Sequence, residues 1–329
     1  MHPGAPAREN WAMRAMVLPR FGGPEVFELR DVPDPSPGPG ELRVRVIASG
    51  TNPVDAKLRH DGRWAGLTPP VVIGYDASGV VEAVGPGVNG FAPGDEVFYT
   101  PEIFGNALGS YAERNTVAAG IVARKPARLT HAQAAAIPLA GGTAYEAVVR
   151  RLQVRPGESL LVQGGAGGVG SFAVQLGKAC GARVIATAGK SNQATLRALG
   201  ADVCLDYDRD DVADAVREET GGAGVDAVFS TVGGAPLLAA LPLTRPFGRL
   251  ATILEASGDL TPLYVRNLTL HGVFLAREGA RLRELARLVD QGKLEPLVDA
   301  VLPLEQVAEA HRRLDSGHGR GKIVLEVGR

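Results

Sequence analysis

The sequence predicts an α/β protein with two parts, a mostly β domain and a domain built on a doubly wound parallel sheet. In the first third of the chain, short strand patterns are separated by turns rich in Pro and Gly. From about residue 160, short apolar strands alternate with amphipathic helices. The chain has 329 residues, and a single core stops growing at roughly 250–300 residues. Two domains are therefore expected.

The strands of the first third have the pattern of a half-buried sheet. They are predicted at 15–18, 26–29, 41–48, 79–84 and 96–99. In the third of these, apolar residues alternate with charged residues, which is the period of a strand with one buried face. The loop 34–40 is rich in Pro and Gly and separates two of the strands. We expect a compact, mostly antiparallel β domain.

The second part is predicted to begin with a helix. Thr130 is followed three residues later by Gln133, which is the pattern of a capping box. Pro138 and the pair Gly141-Gly142 are expected to interrupt that helix. Six further strands are predicted at 160–162, 183–187, 203–205, 227–229, 249–253 and 270–275. Six strands with helices between them predict a parallel, doubly wound sheet.

The residues after 275 are predicted to return to the first domain. A helix carrying Leu282, Leu285 and Val289 on one face ends at Gly292. A short strand, another helix and a final strand at 322–327 follow. These are too few elements for a third domain.

A glycine-rich turn follows the strand 160–162 and precedes a helix. It reads Gly165-Ala166-Gly167-Gly168-Val169-Gly170. In a dinucleotide-binding turn, the first glycine permits the tight turn, the second lets the backbone approach a pyrophosphate, and the third lets the helix pack on the strand. The helix N-terminus adds free N–H groups and the positive end of its dipole. The pattern predicts a nicotinamide dinucleotide site, and the alternative is a purely structural glycine loop.

The second strand of such a unit normally ends in an acidic residue that bonds the ribose of NAD. That position falls at about Ala188, and no carboxylate occurs at 187–192. Lys190 and Ser191 follow instead. Because a carboxylate would repel a 2′-phosphate, its absence beside a lysine favours NADPH. The alternative is that Lys190 is a solvated loop lysine.

Composition excludes several classes of protein and of site. With 35 basic and 36 acidic residues, nothing favours nucleic acid or a membrane surface as a partner. No apolar run reaches membrane-spanning length. The two cysteines, Cys180 and Cys204, exclude a disulfide framework and favour a reducing, cytoplasmic location. The six histidines lack metal-ligand spacing, so no metal site is predicted.

Several segments together resemble the medium-chain dehydrogenase/reductase superfamily, and within it the zinc-independent quinone oxidoreductase branch that includes zeta-crystallin. The resemblance runs from about residue 14 to the end of the chain. It is carried by SGTNPVD at 49–55, GYDASG at 74–79, GSYAE at 109–113, IPLAGGTAY at 137–145, the glycine turn, and LGAD at 199–202.

The resemblance implies how the chain is divided. Residues 1–129 and 277–329 would form a GroES-like catalytic domain, and residues 130–276 an inserted Rossmann domain, with the active cleft between them. Relatives pair the edge strand of the Rossmann sheet across a two-fold axis, which implies a homodimer through the apolar strand 270–275. Exposed apolar edges are usually covered, which agrees with this expectation.

The resemblance also bears on the metal and the cofactor. Where zinc-dependent relatives carry their first cysteine ligand, this chain has Asn52, and Tyr75-Asp76 stands where they have His-Glu. Relatives often have an acidic residue where Ser230 stands, which is a departure at one edge of the cofactor site. The residues assigned to the cofactor, from the turn and the resemblance together, are Thr143, Gly165, Ala166, Gly167, Gly168, Val169, Gly170, Ala188, Lys190, Tyr207 and Val232.

Reduction of a conjugated C=C bond needs hydrogen-bond donors where negative charge builds up. The candidates are the Asn52 amide, the Lys57 ammonium and the Tyr75 phenol. Lys57 would act as a point charge, or as a proton donor if desolvated. The alternatives are a turn-forming role for Asn52 before proline, a solvated surface position for Lys57, and a pocket wall for Tyr75. Asp55 is expected to be structural, and Trp64 and Phe104 to wall the pocket.

The sequence therefore predicts an NADPH-dependent reductase of quinones or α,β-unsaturated carbonyl compounds that works without zinc. One alternative is a zinc-free alcohol dehydrogenase, although alcohol oxidation normally depends on zinc to acidify the alcohol. Another is a structural or regulatory NADPH-binding protein with little catalysis, because a fold does not by itself settle activity.

Overall fold

The structure is a computed structural model that describes residues 12–328. The strands are β1 (Ala12–Leu18), β2 (Glu28–Pro33), β3 (Glu41–Gly50), β4 (Val71–Val72), β5 (Ala77–Val84), β6 (Glu96–Tyr99), β7 (Arg114–Ala118), β8 (Val122–Arg124), β9 (Ser159–Gln163), β10 (Arg183–Ala188), β11 (Val203–Asp206), β12 (Val225–Ser230), β13 (Thr244–Thr252), β14 (Thr269–Gly272), β15 (Val298–Pro303) and β16 (Lys322–Glu326). The helices are α1 (Pro53–His60), α2 (His131–Ala135), α3 (Pro138–Tyr145), α4 (Gly168–Ala179), α5 (Gln193–Ala198), α6 (Val212–Glu219), α7 (Gly234–Ala240), α8 (Thr261–Val265), α9 (Gly279–Asp290) and α10 (Val307–Asp315).

Six strands form one parallel sheet in the order β11-β10-β9-β12-β13-β14, which confirms the predicted doubly wound fold. We call it the parallel sheet. The winding direction reverses between β9 and β12, so a crevice opens at their carboxyl ends. Ligands of doubly wound sheets bind at such a crevice. The glycine turn lies there, because it directly follows β9.

The other strands form a seven-stranded sheet in the order β15-β16-β3-β5-β6-β8, with β7 also paired to β3, and a small sheet β2-β1-β4. We call the larger one the mixed sheet, because β15 and β16 are parallel while the other pairs are antiparallel. Strand β16 pairs with β3 through Val324 opposite Gly50. The end of the chain therefore joins the first sheet, as expected, while the exact boundaries 129/130 and 276/277 stay a prediction.

The alternating faces of the strands divide the core. On β9, Leu160 and Val162 pack into a large cluster that also contains residues of the mixed sheet, while Leu161 packs into a second cluster on the opposite face. Successive strand residues point to opposite faces, so a strand covered on both sides must be apolar throughout. One core thus extends across both sheets and holds them together.

The helix predicted from Thr130 begins there, and Gln133 completes its capping box. The prediction that Gly141-Gly142 interrupts it was wrong in detail. The first helix ends at Ala135, and a second begins at Pro138 and runs through both glycines. A Cβ atom at Gly142 would lie 3.2 Å from Leu275 Cδ2, so the glycine permits close packing inside the helix rather than ending it.

Two predicted strands also differ from the observed ones. The strand predicted at 26–29 starts only at Glu28, because Val26 belongs to a short 3₁₀ helix at Pro24–Val26. The sixth strand of the parallel sheet covers Thr269–Gly272 rather than 270–275, and it does lie at the sheet edge. Short apolar runs do not fix their own ends, because pairing with a neighbouring strand decides how many residues are held extended.

Candidate active site

A left-handed residue directly precedes the glycine turn, and two glycines within the turn are required by packing. Gly164 has φ +78°, so the tight turn lies there and not at Gly165 as predicted. A Cβ atom at Gly165 would lie 2.9 Å from Leu196 Cδ2. A Cβ atom at Gly170 would lie 2.0 Å from the Gly164 carbonyl oxygen, which is too short for a contact between these atoms. Gly165 therefore permits packing on the helix α5, and Gly170 permits α4 to approach the turn.

Gly167 is the residue of the turn with room in front of it. It is the N-cap of α4, and a Cβ atom placed on it meets, in the described chain, only the Gly164 oxygen at 3.4 Å. Within residues 12–328, no side chain caps this end of the helix, and its first turn contains no acidic residue. The N–H groups of Gly168, Val169 and Gly170 thus fit an anionic phosphate, because helix N-termini hold free donors and positive potential.

The far edge of this site lies at the ends of β10 and β11. Ala188 is buried at the end of β10, whereas Lys190 is exposed. The Tyr207 hydroxyl group would lie 3.2 Å from a Cβ atom at Gly189, and the Tyr207 ring is half exposed. Lys190 and Tyr207 therefore flank the same glycine.

One carboxylate in this region was missed by reading β10 alone. Asp206, the last residue of β11, is aligned directly with Ala188 in the parallel register. Its Oδ1 accepts a hydrogen bond from the Asp208 N–H at 3.2 Å, so it shapes the turn after β11. Asp206 is thus an acidic group at the end of the strand next to β10, where a carboxylate can repel a phosphate or accept from a ribose hydroxyl.

The other residues assigned to the cofactor are also located by their contacts. A Cβ atom at Gly164 would lie 3.0 Å from Val232 Cγ1, which places the half-exposed Val232 against the turn. Thr143 is nearly buried in α3, and its hydroxyl donates to the Leu139 carbonyl at 2.7 Å. The Ala166 carbonyl accepts from the N–H of Gly321 at 2.8 Å. The last contact brings the start of β16 onto the glycine turn.

A buried group of polar side chains lies beside this contact, and we call Asn52, Asp76 and Lys322 the polar cluster. The Lys322 ammonium donates to Asn52 Oδ1, to the Thr51 carbonyl at 2.7 Å, and to Asp76 Oδ2 at 3.1 Å. The Asn52 amide donates to the same Asp76 oxygen at 2.9 Å. A Cβ atom at Gly168 would lie 3.1 Å from Lys322 Cδ, so the lysine stem crosses the start of α4.

The polar cluster limits the role of Asn52 as a hydrogen-bond donor to a substrate. Its amide oxygen accepts from Lys322, and one of its two amide hydrogens is donated to Asp76. Only one hydrogen is left for a substrate. Asn52 is also the N-cap of α1, so its main role in the fold is to join α1 to Asp76 and β16. Burial raises the pKa of Asp76, and the nearby positive charge of Lys322 acts in the opposite direction.

Asp55 belongs to a second buried network behind α1. Its Oδ2 accepts from the Asn52 N–H and from the Tyr111 hydroxyl, both at 2.8 Å. The expected structural role is therefore what its contacts indicate. Burial raises the pKa of Asp55 to about 7. The sequence predicted a structural role for Asp55 but not the bond to Tyr111, which is 56 residues away.

The same network continues to the other end of the chain. The Tyr111 oxygen lies 3.2 Å from His311 Nε2, and His311 Nδ1 lies 3.2 Å from Arg59 Nη1. Because Arg59 can only donate, Nδ1 must accept and Nε2 must carry the proton. Burial lowers the pKa of His311 to about 3, which keeps this tautomer neutral. Arg59 also pairs with Asp315 at 2.8 Å, so the network joins α1 to α10.

Tyr75 and Lys57 occupy opposite environments. Tyr75 is fully buried, and within residues 12–328 its hydroxyl has no hydrogen-bond partner. Burial raises its pKa. Lys57, on α1, is exposed to solvent, so it is a hydrated charge and not the desolvated proton donor considered above. Of the three candidate donors, Tyr75 is buried with its hydroxyl wholly uncommitted, Asn52 is buried with one free amide hydrogen, and Lys57 is exposed.

Aromatic rings from three separate segments meet on the surface. The centroids of Trp64 and Phe104 are 6.0 Å apart, and those of Phe104 and Phe274 are 5.8 Å apart. All three rings are at least half exposed. The sequence singled out Trp64 and Phe104 as a pocket wall, and the structure brings them into contact and adds Phe274.

The described side chains do not form a metal site. Within residues 12–328, no three His, Cys, Asp or Glu side chains lie close enough together to hold a metal ion. The Asn52 and Tyr75 positions carry an amide and a phenol, and the Lys322 ammonium lies next to Asn52. An ammonium group in that place does not suit a divalent cation. In the same range, no helix is both long and apolar enough to cross a membrane.

Comparison with known proteins gives two family matches. Residues 38–127 match the alcohol dehydrogenase GroES-like domain, and residues 199–325 match the zinc-binding dehydrogenase family. The chain is 34% identical to the chloroplastic NADPH-dependent alkenal/one oxidoreductase of Arabidopsis thaliana, over 95% of this chain and 79% of the relative. It is 32% identical to the quinone oxidoreductase of Homo sapiens, over 95% of this chain and 97% of the relative.

The chain belongs to the medium-chain dehydrogenase/reductase family. Among solved structures, it is similar to an NAD-dependent alcohol dehydrogenase, with a TM-score of 0.90 and 41% identity over 96% of this chain and all of that one. This medium-chain dehydrogenase/reductase is thus an oxidoreductase that uses a nicotinamide cofactor, in the quinone oxidoreductase branch of its family. The predicted family and fold are confirmed.

Sequence reasoning missed two buried cations of the site, Lys322 and Arg277. Lys322 was read only as the first residue of the last strand, and Arg277 as the boundary of a domain. Lysine and arginine are rarely buried, and nothing in their neighbouring residues signals burial. The one signal of a buried cation in the sequence was Asp76, because a carboxylate buried in a closed cleft needs a cationic partner.

Proposed function

We propose that this oxidoreductase uses NADPH to reduce the conjugated double bond of an enone, an alkenal or a quinone without zinc. The observation that supports this most strongly is the contact between Gly321 and the glycine turn. Through it, Lys322, which donates to Asp76, lies beside the open N-terminus of α4. The relatives named alkenal/one and quinone oxidoreductases support the class of acceptor.

Bound NADPH supplies the hydride. The chain's own residues then have two tasks. The N–H groups at the start of α4 hold the pyrophosphate, with Thr143, Ala166 and Val232 along the remainder of the cofactor, and Lys190 with Tyr207 at its 2′-phosphate. The donors of the cleft orient the acceptor and stabilise the oxygen that gains negative charge. Tyr75 is the best placed of the predicted donors, while Asn52 retains one free amide hydrogen.

Lys57 keeps a narrower role in this proposal. As an exposed ammonium on α1, it is suited to a hydroxyl or phosphate oxygen at the edge of the site. We expect Lys57→Met to lower the turnover of enones several-fold with a smaller change in NADPH affinity. Single-turnover hydride transfer at the wild-type rate in this variant would remove Lys57 from the mechanism.

The acceptor is tested with a panel of quinones, enones, alkenals, aldehydes and alcohols. Absorbance of the reduced nicotinamide reports turnover with NADPH and with NADH. We expect the highest kcat/KM with NADPH and a conjugated acceptor. Oxidation of alcohols in preference to reduction of C=C bonds would favour the alternative suggested by the similar alcohol dehydrogenase. Tight NADPH binding with no turnover of any acceptor would favour a structural or regulatory role.

Two further features of the chain support proposals about its assembly and location. The edge strand β14 lies near the exposed side chains Phe247, Tyr264 and Val265. We propose that this edge pairs with a second copy to form a homodimer, which light scattering coupled to gel filtration would detect as twice the chain mass. The thiols of Cys180 and Cys204 are free, which suits a reducing, cytoplasmic compartment.

We also propose the division of the chain into a catalytic domain of residues 1–129 and 277–329 and a cofactor domain of residues 130–276. The return of β16 to the mixed sheet supports it. Limited proteolysis within either crossing segment should release a fragment that still binds cofactor.

A further inference from the structure

Arg277 is a buried guanidinium held by main-chain oxygens from both parts of the molecule. Its side chain is only 4% exposed. Nε donates to the Pro101 carbonyl at 3.2 Å, and Nη1 donates to the Leu275 carbonyl at 2.7 Å. Pro101 follows a strand of the mixed sheet, and Leu275 follows the last strand of the parallel sheet. The guanidinium plane is therefore fixed between the two sheets before any ligand binds.

The third nitrogen of this group has no partner. Within the described chain, Arg277 Nη2 is buried and makes no hydrogen bond. Glu102 is the carboxylate paired with Arg277, but it lies 3.9 Å from Nε and is half exposed. Main-chain carbonyls carry no net charge, so the cation is oriented by its contacts but only weakly neutralised.

Tyr75 is another buried donor without a hydrogen-bond partner in residues 12–328, as are Arg43 Nε, Asn115 Nδ2 and Arg281 Nε. The segment of Tyr75 and Asp76 lies beside the segment that holds Arg277, because the Thr100 hydroxyl donates to Asp76 Oδ1 at 3.4 Å and the next residue, Pro101, accepts from Arg277. The positive charge of Arg277 works against the burial that raises the pKa of Tyr75. A buried donor without a hydrogen bond carries the full desolvation penalty of its group, and such groups are rare in native proteins. Two such donors on adjoining segments, one charged and one neutral, point to a shared ligand atom that accepts from both.

We propose that Arg277 Nη2 and the Tyr75 hydroxyl bind the carbonyl oxygen of the conjugated acceptor and stabilise the negative charge that develops on it. The inference rests on the proposed reduction and names the residues that would perform its electrostatic part. Asn52 is mostly committed to Asp76 and Lys322, and Lys57 is solvated, so neither offers a comparable preorganised donor.

The step balances as follows. Hydride arrives with its two electrons and forms a C–H bond at the β-carbon, which oxidises the nicotinamide. The π electrons of the C=C bond move toward the carbonyl and leave an enolate, whose oxygen accepts from Arg277 and Tyr75. Water then supplies a proton to the α-carbon, and the carbonyl is restored. Donors that are fixed before the reaction stabilise such charge most effectively, because they need not reorganise.

Tyr75→Phe is the sharpest test, because the hydroxyl it removes has no partner in residues 12–328. We expect the variant to melt at or slightly above the wild-type temperature and to lose about 10–100-fold in kcat with a conjugated enone. A residue that only walls the pocket would leave kcat unchanged.

Arg277→Met tests the charged donor, and Arg283→Met is the matched control, because Arg283 is an exposed arginine on α9. We expect Arg277→Met to lower kcat about 100-fold and added guanidinium to restore part of it. A purely structural clip between Pro101 and Leu275 would instead lower the melting temperature without rescue of kcat.

Binding of para-nitrophenol to the enzyme with NADP⁺ gives a readout that does not require turnover. Its phenolate oxygen resembles the enolate, and its absorbance reports ionisation. We expect the bound probe to ionise at lower pH in the wild type than in solution, and this shift to be lost in Arg277→Met and reduced in Tyr75→Phe. Equal probe ionisation in wild type and both variants overturns the oxygen site. Wild type without turnover of any conjugated acceptor overturns the proposed function, while the probe still decides the oxygen site.

Discussion

The glycine turn and the polar cluster differ in how far apart in the chain their parts lie. The turn consists of consecutive residues between β9 and α4, and its contribution is backbone geometry: one left-handed glycine, two close approaches and free N–H groups. The polar cluster joins Asn52, Asp76 and Lys322, from both ends of the chain, and its contribution is charge held by other charge. Adding a Cβ atom is therefore enough to disturb the glycine turn. The polar cluster is disturbed when any one of its three side chains is removed, because the remaining charge then lacks its partner.

The largest effect is expected in the polar cluster. Lys322→Met would leave Asp76 buried without its cation, and breaking a buried pair in this way costs about 3–5 kcal/mol. Denaturant titration measures the loss. The double variant Lys322→Met with Asp76→Asn should recover much of it, since no uncompensated charge remains. If the double variant is as unstable as the sum of the single variants, the pair is not coupled as the contacts indicate.

The next effect concerns the turn and separates packing from binding. Gly170→Ala places a Cβ atom 2.0 Å from the Gly164 oxygen, so we expect about 1–3 kcal/mol of destabilisation together with loss of cofactor affinity. Gly167→Ala meets nothing closer than 3.4 Å within the described chain. It should fold normally and lose affinity alone. Fluorescence titration with NADPH beside thermal melting distinguishes the two, and unchanged affinity in Gly167→Ala would contradict close approach of the pyrophosphate.

A third prediction uses pH to probe the dispersed part of the molecule. The pKa of Asp55 is raised to about 7 from 3.8, so between about pH 4 and 7 the folded state binds the extra proton, and this contribution to stability is lost as pH rises. His311, with its pKa lowered to about 3 from 6.5, has the opposite sign: its contribution is lost as pH falls through that interval.

The two slopes oppose each other in the wild type, and Asp55→Asn should separate them. Relative to this variant, wild-type stability is expected to fall by up to about 1.4 kcal/mol per pH unit between pH 4 and 7. Urea denaturation at several pH values measures the difference. A difference that does not depend on pH would mean that Asp55 is ionised in the folded protein throughout this range.

The smallest effect is expected at the exposed edge of the cofactor site. Lys190→Ala should lower the preference for NADPH over NADH about 10-fold, because it removes one charge from a solvated phosphate site. Lys293→Ala, an exposed lysine beyond α9, is the control. Unaltered selectivity in Lys190→Ala would show that Asp206 and Tyr207 decide the preference, or that no 2′-phosphate site exists there.

How much could be predicted depended on the range of the interactions. The capping box at Thr130 and the six parallel strands follow from patterns close in sequence, and the structure agrees. The tight turn was placed one residue too late, at Gly165, because adjacent glycines offer equal freedom and only contacts with neighbouring strands select one. The carboxylate of Asp206 escaped notice for a similar reason, since the register between β10 and β11 is not written in either strand.

The sequence by itself determined the two-part α/β fold and a dinucleotide turn, because periodicity, glycine spacing and helix signals act over a few residues. Its motifs also resembled those of the family. Only the tertiary structure decided which donors are available. It committed most of the Asn52 amide to Asp76 and Lys322, left Lys57 in solvent, and buried Tyr75 and Arg277 with donors to spare. Burial and charge compensation depend on what packs around a side chain, and at this site the packing comes from segments more than 200 residues apart.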